Sequence, residues 1–158
     1  MKRNFVGSVL LRKVLPAFAC IALQICALPA LAALGGDGAS VGTGLAHVLA
    51  SKRVQATQAY TMHELNATTG TKVHEYLGND GKVFAVSWQG PFRPDLRQLL
   101  GVYYETYLKA AGPRVARGPI NIQLPGLVIH MSGHQRAFYG RVYIPDQVPQ
   151  GVSVDEIR

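Results

Sequence analysis

The spacing of apolar positions predicts a β-meander in the first half of the chain. Apolar and polar residues alternate over 59–66, 71–77 and 82–88, which is typical of strands that bury one face. The two links between these segments each end in a glycine, which can adopt the positive φ that a tight hairpin needs. We therefore predict three consecutive antiparallel strands.

After Trp88 the pattern changes to that of a helix. Pro91 and Pro94 end the last strand, because proline cannot donate a ladder hydrogen bond. Pro94 and Asp95 suit the first turn of a helix, and Gly112 followed by a proline suits its end. One apolar stripe runs between them at helical spacing: Leu96, Leu99, Leu100, Tyr103 and Tyr107. The unusual composition around Trp88 thus fits a strand-to-helix corner better than an active site.

A second group of strands is predicted after the helix. A short strand covers 120–124, and 127–132 with 135–144 form a hairpin around Gly133-His134. One face of this hairpin is apolar; the other carries His130, Ser132, Gln135, Tyr139, Arg141 and Tyr143. With a short helix over 45–53, the prediction is an α+β fold: an antiparallel sheet of five or six strands (meander, helix, then hairpin) with one main helix packed on one face.

The first 32 residues have the pattern of a secretory signal peptide. Four basic residues precede Val14, an apolar run follows, and the segment ends in Ala30-Leu31-Ala32. A membrane-spanning helix needs roughly 20 apolar residues, and Pro29 interrupts this run too early. We predict Sec-type export to the periplasm or the medium, with cleavage after Ala32 and no transmembrane segment in the mature chain.

Removal of this segment changes the composition. The remaining 126 residues contain no cysteine, and twelve basic against nine acidic residues give a net charge of only +3. This charge gives no support for nucleic-acid binding, which requires a dense basic patch. We predict a glycine-rich lead-in with the short helix over 33–57, one domain over 58–145, and a C-terminal tail over 146–158.

Two histidines are candidate site residues. If the first hairpin pairs Asn66 with Thr71, His63 and His74 face each other directly, close enough to share a metal ion. With Glu64 or Glu75 they could form a metal-dependent or hydrolytic site. Zinc, however, requires at least three ligands, and alternation sends the glutamates to the other face. Two exposed polar residues are the favoured interpretation, and no metal or cofactor is predicted.

Aromatic residues suggest a second kind of site. Trp88, Tyr139 and Tyr143, together with the two histidines, are candidate binding residues for a polysaccharide or a peptide, since aromatic rings offer both apolar area and polar groups. On a helix stripe or a strand, tyrosines more often belong to the core.

Several sequence blocks resemble one known family. The blocks follow an Ala-x-Ala signal and are ALGGD (33–37), YTMHE (60–64), FAVSWQGP (84–91), PDLRQLLG (94–101), SGHQRAF (132–138) and GVSVDEIR (151–158). The chain is similar over its whole mature length to the exported bacterial domain-of-unknown-function family 2844. This resemblance implies a bacterial envelope or secreted protein, and it implies no activity and no catalytic residue.

Taken together, the residues favour a non-catalytic binding or assembly module of the periplasm or cell envelope. Its partner is unknown; another envelope protein or a polysaccharide are the candidates. An enzyme that uses His63 and His74 with a glutamate, and a surface module that binds polysaccharide or peptide, are the alternatives.

Overall fold

A single antiparallel sheet of seven strands forms the body of the protein. The computed structural model describes residues 33–37, 49–112 and 118–158. The strands lie in the order β1-β2-β3-β4-β7-β6-β5. They are β1 (Leu49–Ala56), β2 (Thr61–Ala67), β3 (Lys72–Leu77), β4 (Val83–Gly90), β5 (Ile120–Leu124), β6 (Leu127–His134) and β7 (Ala137–Tyr143). The meander and the later three strands therefore join through one pairing, between β4 and β7.

The one strand that the sequence did not predict is β1. The prediction of a short helix over 45–53 is wrong for the residues of that range that the structure describes. Residues 45–48 lie outside the described residues. From Leu49 onward the chain pairs with β2 instead of coiling. The helix was predicted from three apolar residues at helical spacing, Leu45, Val48 and Leu49. So few positions do not distinguish helix from strand, and residues 49–56 pair with β2. The sheet therefore has seven strands, not five or six.

The main helix is interrupted where one continuous helix was predicted. The Asp95 side chain caps α1 (Leu96–Leu100) by accepting from two backbone N–H groups of its first turn. Gly101 then has φ of 50°, and a 3₁₀ turn leads into α2 (Tyr104–Ala111). A Cβ atom on Gly101 would lie 2.4 Å from the Cβ of Ala33, so the incoming N-terminal segment occupies the space that a regular helical residue would need.

The helices cover one face of the sheet, which we call the helix face. Leu99, Leu100 and Tyr107 are buried in the same cluster as the inward-facing strand residues. That cluster contains Leu65, Val73, Val86, Trp88, Ile129 and Val142 among its sheet members. The predicted α+β class is thus confirmed.

The opposite face, which we call the polar face, carries a smaller cluster. Tyr76, Phe84 and Ala85 are buried there together with Ile157. Ile157 belongs to the C-terminal segment, defined here as residues 153–158, which includes a 3₁₀ turn at Val154–Glu156. A further 3₁₀ turn, Pro145–Gln147, follows β7. The tail beyond β7 is therefore packed onto the sheet.

The turn of the β6–β7 hairpin lies two residues later than predicted, so β6 is longer and β7 is shorter than predicted. His134 pairs with Ala137, so the turn consists of Gln135 and Arg136, and not of Gly133 and His134. Arg136 takes the positive φ, at 67°. Because the turn moved by an even number of residues, the paired side chains stay on their predicted faces, whereas Gln135 now lies in the turn.

Candidate functional site

One cross-strand row on the polar face carries a polar residue on every strand. Each member is the direct partner of the next across the sheet. In strand order the row is Arg53, Glu64, His74, Ser87, Arg141, His130 and Asn121. Six spacings of about 4.8 Å make it roughly 29 Å long. A continuous hydrophilic band therefore crosses the sheet from edge to edge.

A second polar row runs beside the first, two residues along each strand. Its members are Ser51, Asn66, Lys72, Gln89, Tyr139 and Ser132. The two rows are about 7 Å apart, the length of two extended residues. Together they form a surface on which a ligand wider than one side chain could contact both rows.

At the β2–β3 end, the polar groups mostly satisfy each other. The carboxylate of Glu64 lies 3.6 Å from Lys72 Nζ and 3.4 Å from His74 Nε2, and it accepts a 3.2 Å hydrogen bond from Asn66 Nδ2. The Asn66 hydrogen bond, and then Lys72, lower the pKa of Glu64 below its ordinary value. The charge of Glu64 is therefore compensated by its neighbours at this end of the band.

The C-terminal segment crosses the middle of the band. Arg141 Nη1 donates to the carbonyl oxygen of Val154 at 2.9 Å and lies 3.5 Å from a carboxylate oxygen of Asp155. The Tyr76 hydroxyl accepts from Arg158 N at 3.1 Å and donates to Arg158 O at 3.0 Å. His74 Nδ1 also donates to Arg158 O, at 2.7 Å. These bonds hold residues 154–158 against β3, β4 and β7.

Beyond this segment, the band opens into a groove of about 560 Å³. We call it the polar groove. It lies over β5, β6 and β7, with the end of the C-terminal segment as one wall. Its lining residues are Trp88, Gln89, Pro119, Ile120, Asn121, His130, Met131, Ser132, Tyr139, Gly140, Arg141, Ile157 and Arg158. Such a volume is within the range of small-molecule sites.

His130 is oriented within the groove by its strand neighbour. Its Nδ1 is hydrogen-bonded to the side-chain oxygen of Asn121, so Nδ1 carries the proton and Nε2 of the neutral ring can accept. Burial lowers the pKa of His130, and the nearby Arg141 lowers it further. At neutral pH the ring therefore acts as a hydrogen-bonding group of defined orientation.

The candidate residues named from the sequence are divided between the two faces. Trp88 and Tyr139 line the polar groove, but the Trp88 side chain is buried in the main cluster on the helix face. His74 and Tyr143 are on the polar face; His74 contacts the C-terminal segment, and Tyr143 packs on its small apolar cluster. His63 is buried on the helix face, opposite Glu75.

The predicted pairing of the two histidines is wrong. His63 pairs with Glu75, and Glu64 pairs with His74. The first hairpin closes with Ala67 N donating to Thr71 O, one residue away from the predicted closure. A one-residue change of register moves the paired side chains to opposite faces. The histidines therefore do not meet, and neither do the two glutamates.

Within residues 33–37, 49–112 and 118–158, no three His, Cys, Asp or Glu side chains are grouped so that they could hold a metal ion. In these same segments, no helix has the length and apolarity to cross a membrane.

Sequence reasoning placed His130, Ser132, Tyr139 and Arg141 on one strand face but did not combine them into a site. Asn121 and Gln89 were not among the residues predicted for a site. They lie on β5 and β4, and only the sheet order brings them beside β6 and β7. The alternation of polar residues on the predicted hairpin was the available signal.

The fold and the groove define an α+β protein with an open antiparallel sheet, helices on one face and a hydrogen-bonding groove on the other. Residues 30–157 match the family described as "Protein of unknown function (DUF2844)", and the chain belongs to that family. The search of curated proteins and the search of solved structures each gave no match.

Proposed function

We propose that this protein is an exported bacterial module that binds a saccharide in the polar groove. The observation that carries the proposal is the composition of the groove. Planar amides, a hydroxyl, an oriented imidazole and two arginines are combined there with the ring of Tyr139, a residue that is 56 % exposed. Saccharides present many hydroxyl groups and an apolar ring face, so they match such a mixture.

A saccharide suits this groove better than a peptide does. Peptides are usually bound by addition to a free strand edge or by apolar pockets for their side chains. The polar groove lies on a sheet face, and most of its side chains are hydrogen-bonding groups. Asn121, His130 and Gln89 are held on paired strands, which limits the entropy lost when they bind a ligand.

The binding proposal is tested with purified residues 33–158 against a panel of soluble polysaccharides, by affinity electrophoresis and calorimetry. Tyr139→Ala should weaken binding about five- to tenfold, since an aromatic face contributes on the order of 1 kcal/mol. Phe92→Ala is the matched control, because Phe92 is equally exposed, at 55 %, and lies outside the groove lining. Equal losses in the two variants would contradict the proposal. So would a lack of binding to the panel combined with cross-linking of the groove to an envelope protein, which would favour assembly.

The export part of the proposal is supported by the basic, apolar and Ala-x-Ala pattern of residues 1–32. Fractionation of a bacterial host that expresses the full chain should find the protein in the periplasm or medium with Ala33 as its first residue. Replacing Leu31-Ala32 by a pair of lysines should leave an unprocessed precursor. Retention of the wild-type protein in the cytoplasm at full length would refute export.

A further inference from the structure

We infer that the polar groove selects saccharides that carry carboxylate groups, with Arg141 and Arg158 as the cationic groups. This inference rests on the proposed saccharide binding and adds the ligand class. The described residues that line the groove include both arginines and no aspartate or glutamate side chain. Cationic side chains that line a groove favour ligands of the opposite charge.

Arg141 is held in a defined position before any ligand binds. Its Nη1 donates a hydrogen bond to the carbonyl oxygen of Val154. Nη1 also lies 3.5 Å from Asp155, whose side chain is 86 % exposed. A guanidinium has five N–H donors in a planar fork, so this bond to Val154 leaves other donors available. A carboxylate is planar as well and can accept two parallel bonds from such a fork. Preorganisation of this kind reduces the cost of binding.

Arg158 provides the second cationic group from the wall of the groove. Its backbone N and O are bonded to Tyr76. Among the described residues, none forms a salt bridge with its guanidinium. The main-chain oxygen of Arg158 is thus directed toward β3, where Tyr76 and His74 donate to it, while the residue also lines the groove over β5, β6 and β7. Its side chain can be changed without removing the bonds that hold the segment.

The neighbouring groups fit the remainder of a sugar acid. His130 is the direct cross-strand partner of Arg141, and Asn121 is the partner of His130. Tyr139 and Ser132 lie in the next row, about 7 Å along the strands. A uronate unit with its carboxylate on Arg141 would therefore place its hydroxyl groups within reach of His130 and the second row.

The test compares polygalacturonate with its fully methyl-esterified form, which has the same backbone without the charges. Wild-type residues 33–158 should bind the acid at least tenfold more tightly, and added NaCl should reduce this preference. Arg158→Gln should remove most of the preference while leaving the melting temperature unchanged. Arg141→Gln should also remove most of the preference. Because it removes the bond to Val154 as well, its circular dichroism and melting curve report any loss of the C-terminal segment. Arg53→Gln, the same charge loss at the far end of the same polar row, should have no effect.

The outcomes separate the two proposals. Equal affinity for the acid and the ester would refute carboxylate selection and leave saccharide binding intact. Lack of binding to either form and to every neutral polysaccharide of the panel would refute both. An equal loss in Arg53→Gln and Arg158→Gln, or equally tight binding of dextran sulfate, would show non-specific charge attraction and would also refute carboxylate selection.

Discussion

Trp88 and Gly140 are direct partners across strands β4 and β7, and the indole ring fills the position where a side chain at residue 140 would begin. A Cβ atom on residue 140 would lie only 2.3 Å from Cζ2 of Trp88. Trp88 itself is 4 % exposed and belongs to the main core. This contact joins the meander to the second group of strands, and both residues also belong to the lining of the polar groove on the other side of the sheet.

Gly140→Ala should destabilise the protein by about 1–3 kcal/mol, because the new methyl group forces the indole or a strand to move. Chemical denaturation measures this change. Gly126→Ala is the matched control, since a Cβ there meets no atom within 4 Å, and it should alter stability by less than about 0.5 kcal/mol. Similar effects from both substitutions would contradict the close approach of Trp88 to Gly140.

Trp88→Ala should cost about 3–5 kcal/mol, the usual range for removing a large buried aromatic ring. In this background the clash at residue 140 is gone, so Gly140→Ala should become nearly neutral or favourable. A double-mutant cycle over the four proteins measures the coupling. Additive effects would show that the two residues do not interact. An unchanged stability of Trp88→Ala, with saccharide binding lost, would instead assign the ring a direct role in the site.

Glu75→Gln should raise stability at neutral and alkaline pH. Glu75 is buried on the helix face at 2 % exposure, and burial raises its pKa from 4.5 to about 7, opposed in part by Lys52. The folded state thus holds the proton more tightly than the unfolded state does. The resulting stability is fully present below about pH 4.5 and is lost as the pH rises through about 7. Glutamine is neutral at every pH. The free energy of unfolding of the variant should therefore exceed that of the wild type by on the order of 3 kcal/mol at pH 8 and should equal it near pH 4.

Denaturation curves from pH 4 to 8 test this expectation. His63, the cross-strand partner of Glu75, has its pKa lowered by burial and by Lys52, which adds an opposite slope below about pH 6.5. That slope is common to the wild type and the variant, so the difference curve isolates Glu75. Glu105→Gln, on an exposed position of α2, serves as the control. A pH-independent difference for Glu75→Gln would contradict the raised pKa.

Tyr76→Phe should loosen the C-terminal segment. The change removes the hydroxyl that bonds both the N–H and the carbonyl of Arg158, at a cost of about 1–2 kcal/mol. Hydrogen exchange of residues 153–158 should become faster, while exchange in the sheet changes little. Tyr139→Phe, at an exposed tyrosine, should leave these rates unchanged. Unaltered exchange in Tyr76→Phe would mean that the segment is held chiefly by Ile157 and Arg141.

The pattern of apolar and polar residues alone was sufficient to predict most of the strands and the helical segment. Alternation identified six of the seven strands, and the stripe from Leu96 to Tyr107 identified the helical segment and its buried side. These features are local: each side chain's face follows from its own neighbours in the chain. The polar character of the outer hairpin face was visible for the same reason, and so were Tyr139 and Arg141 as members of it.

Tertiary contacts decided the features on which the site depends. The pairing of β1 with β2 converted a short apolar run into a strand, and the approach of Ala33 to Gly101 interrupted the helix. A one-residue difference in hairpin closure separated His63 from His74, since register depends on the turn and on the partner strand. Above all, the pairing of β4 with β7 brings Gln89 beside Tyr139, and that of β5 with β6 brings Asn121 beside His130. The groove is made of residues distant in the chain, so it exists only once the sheet order is set.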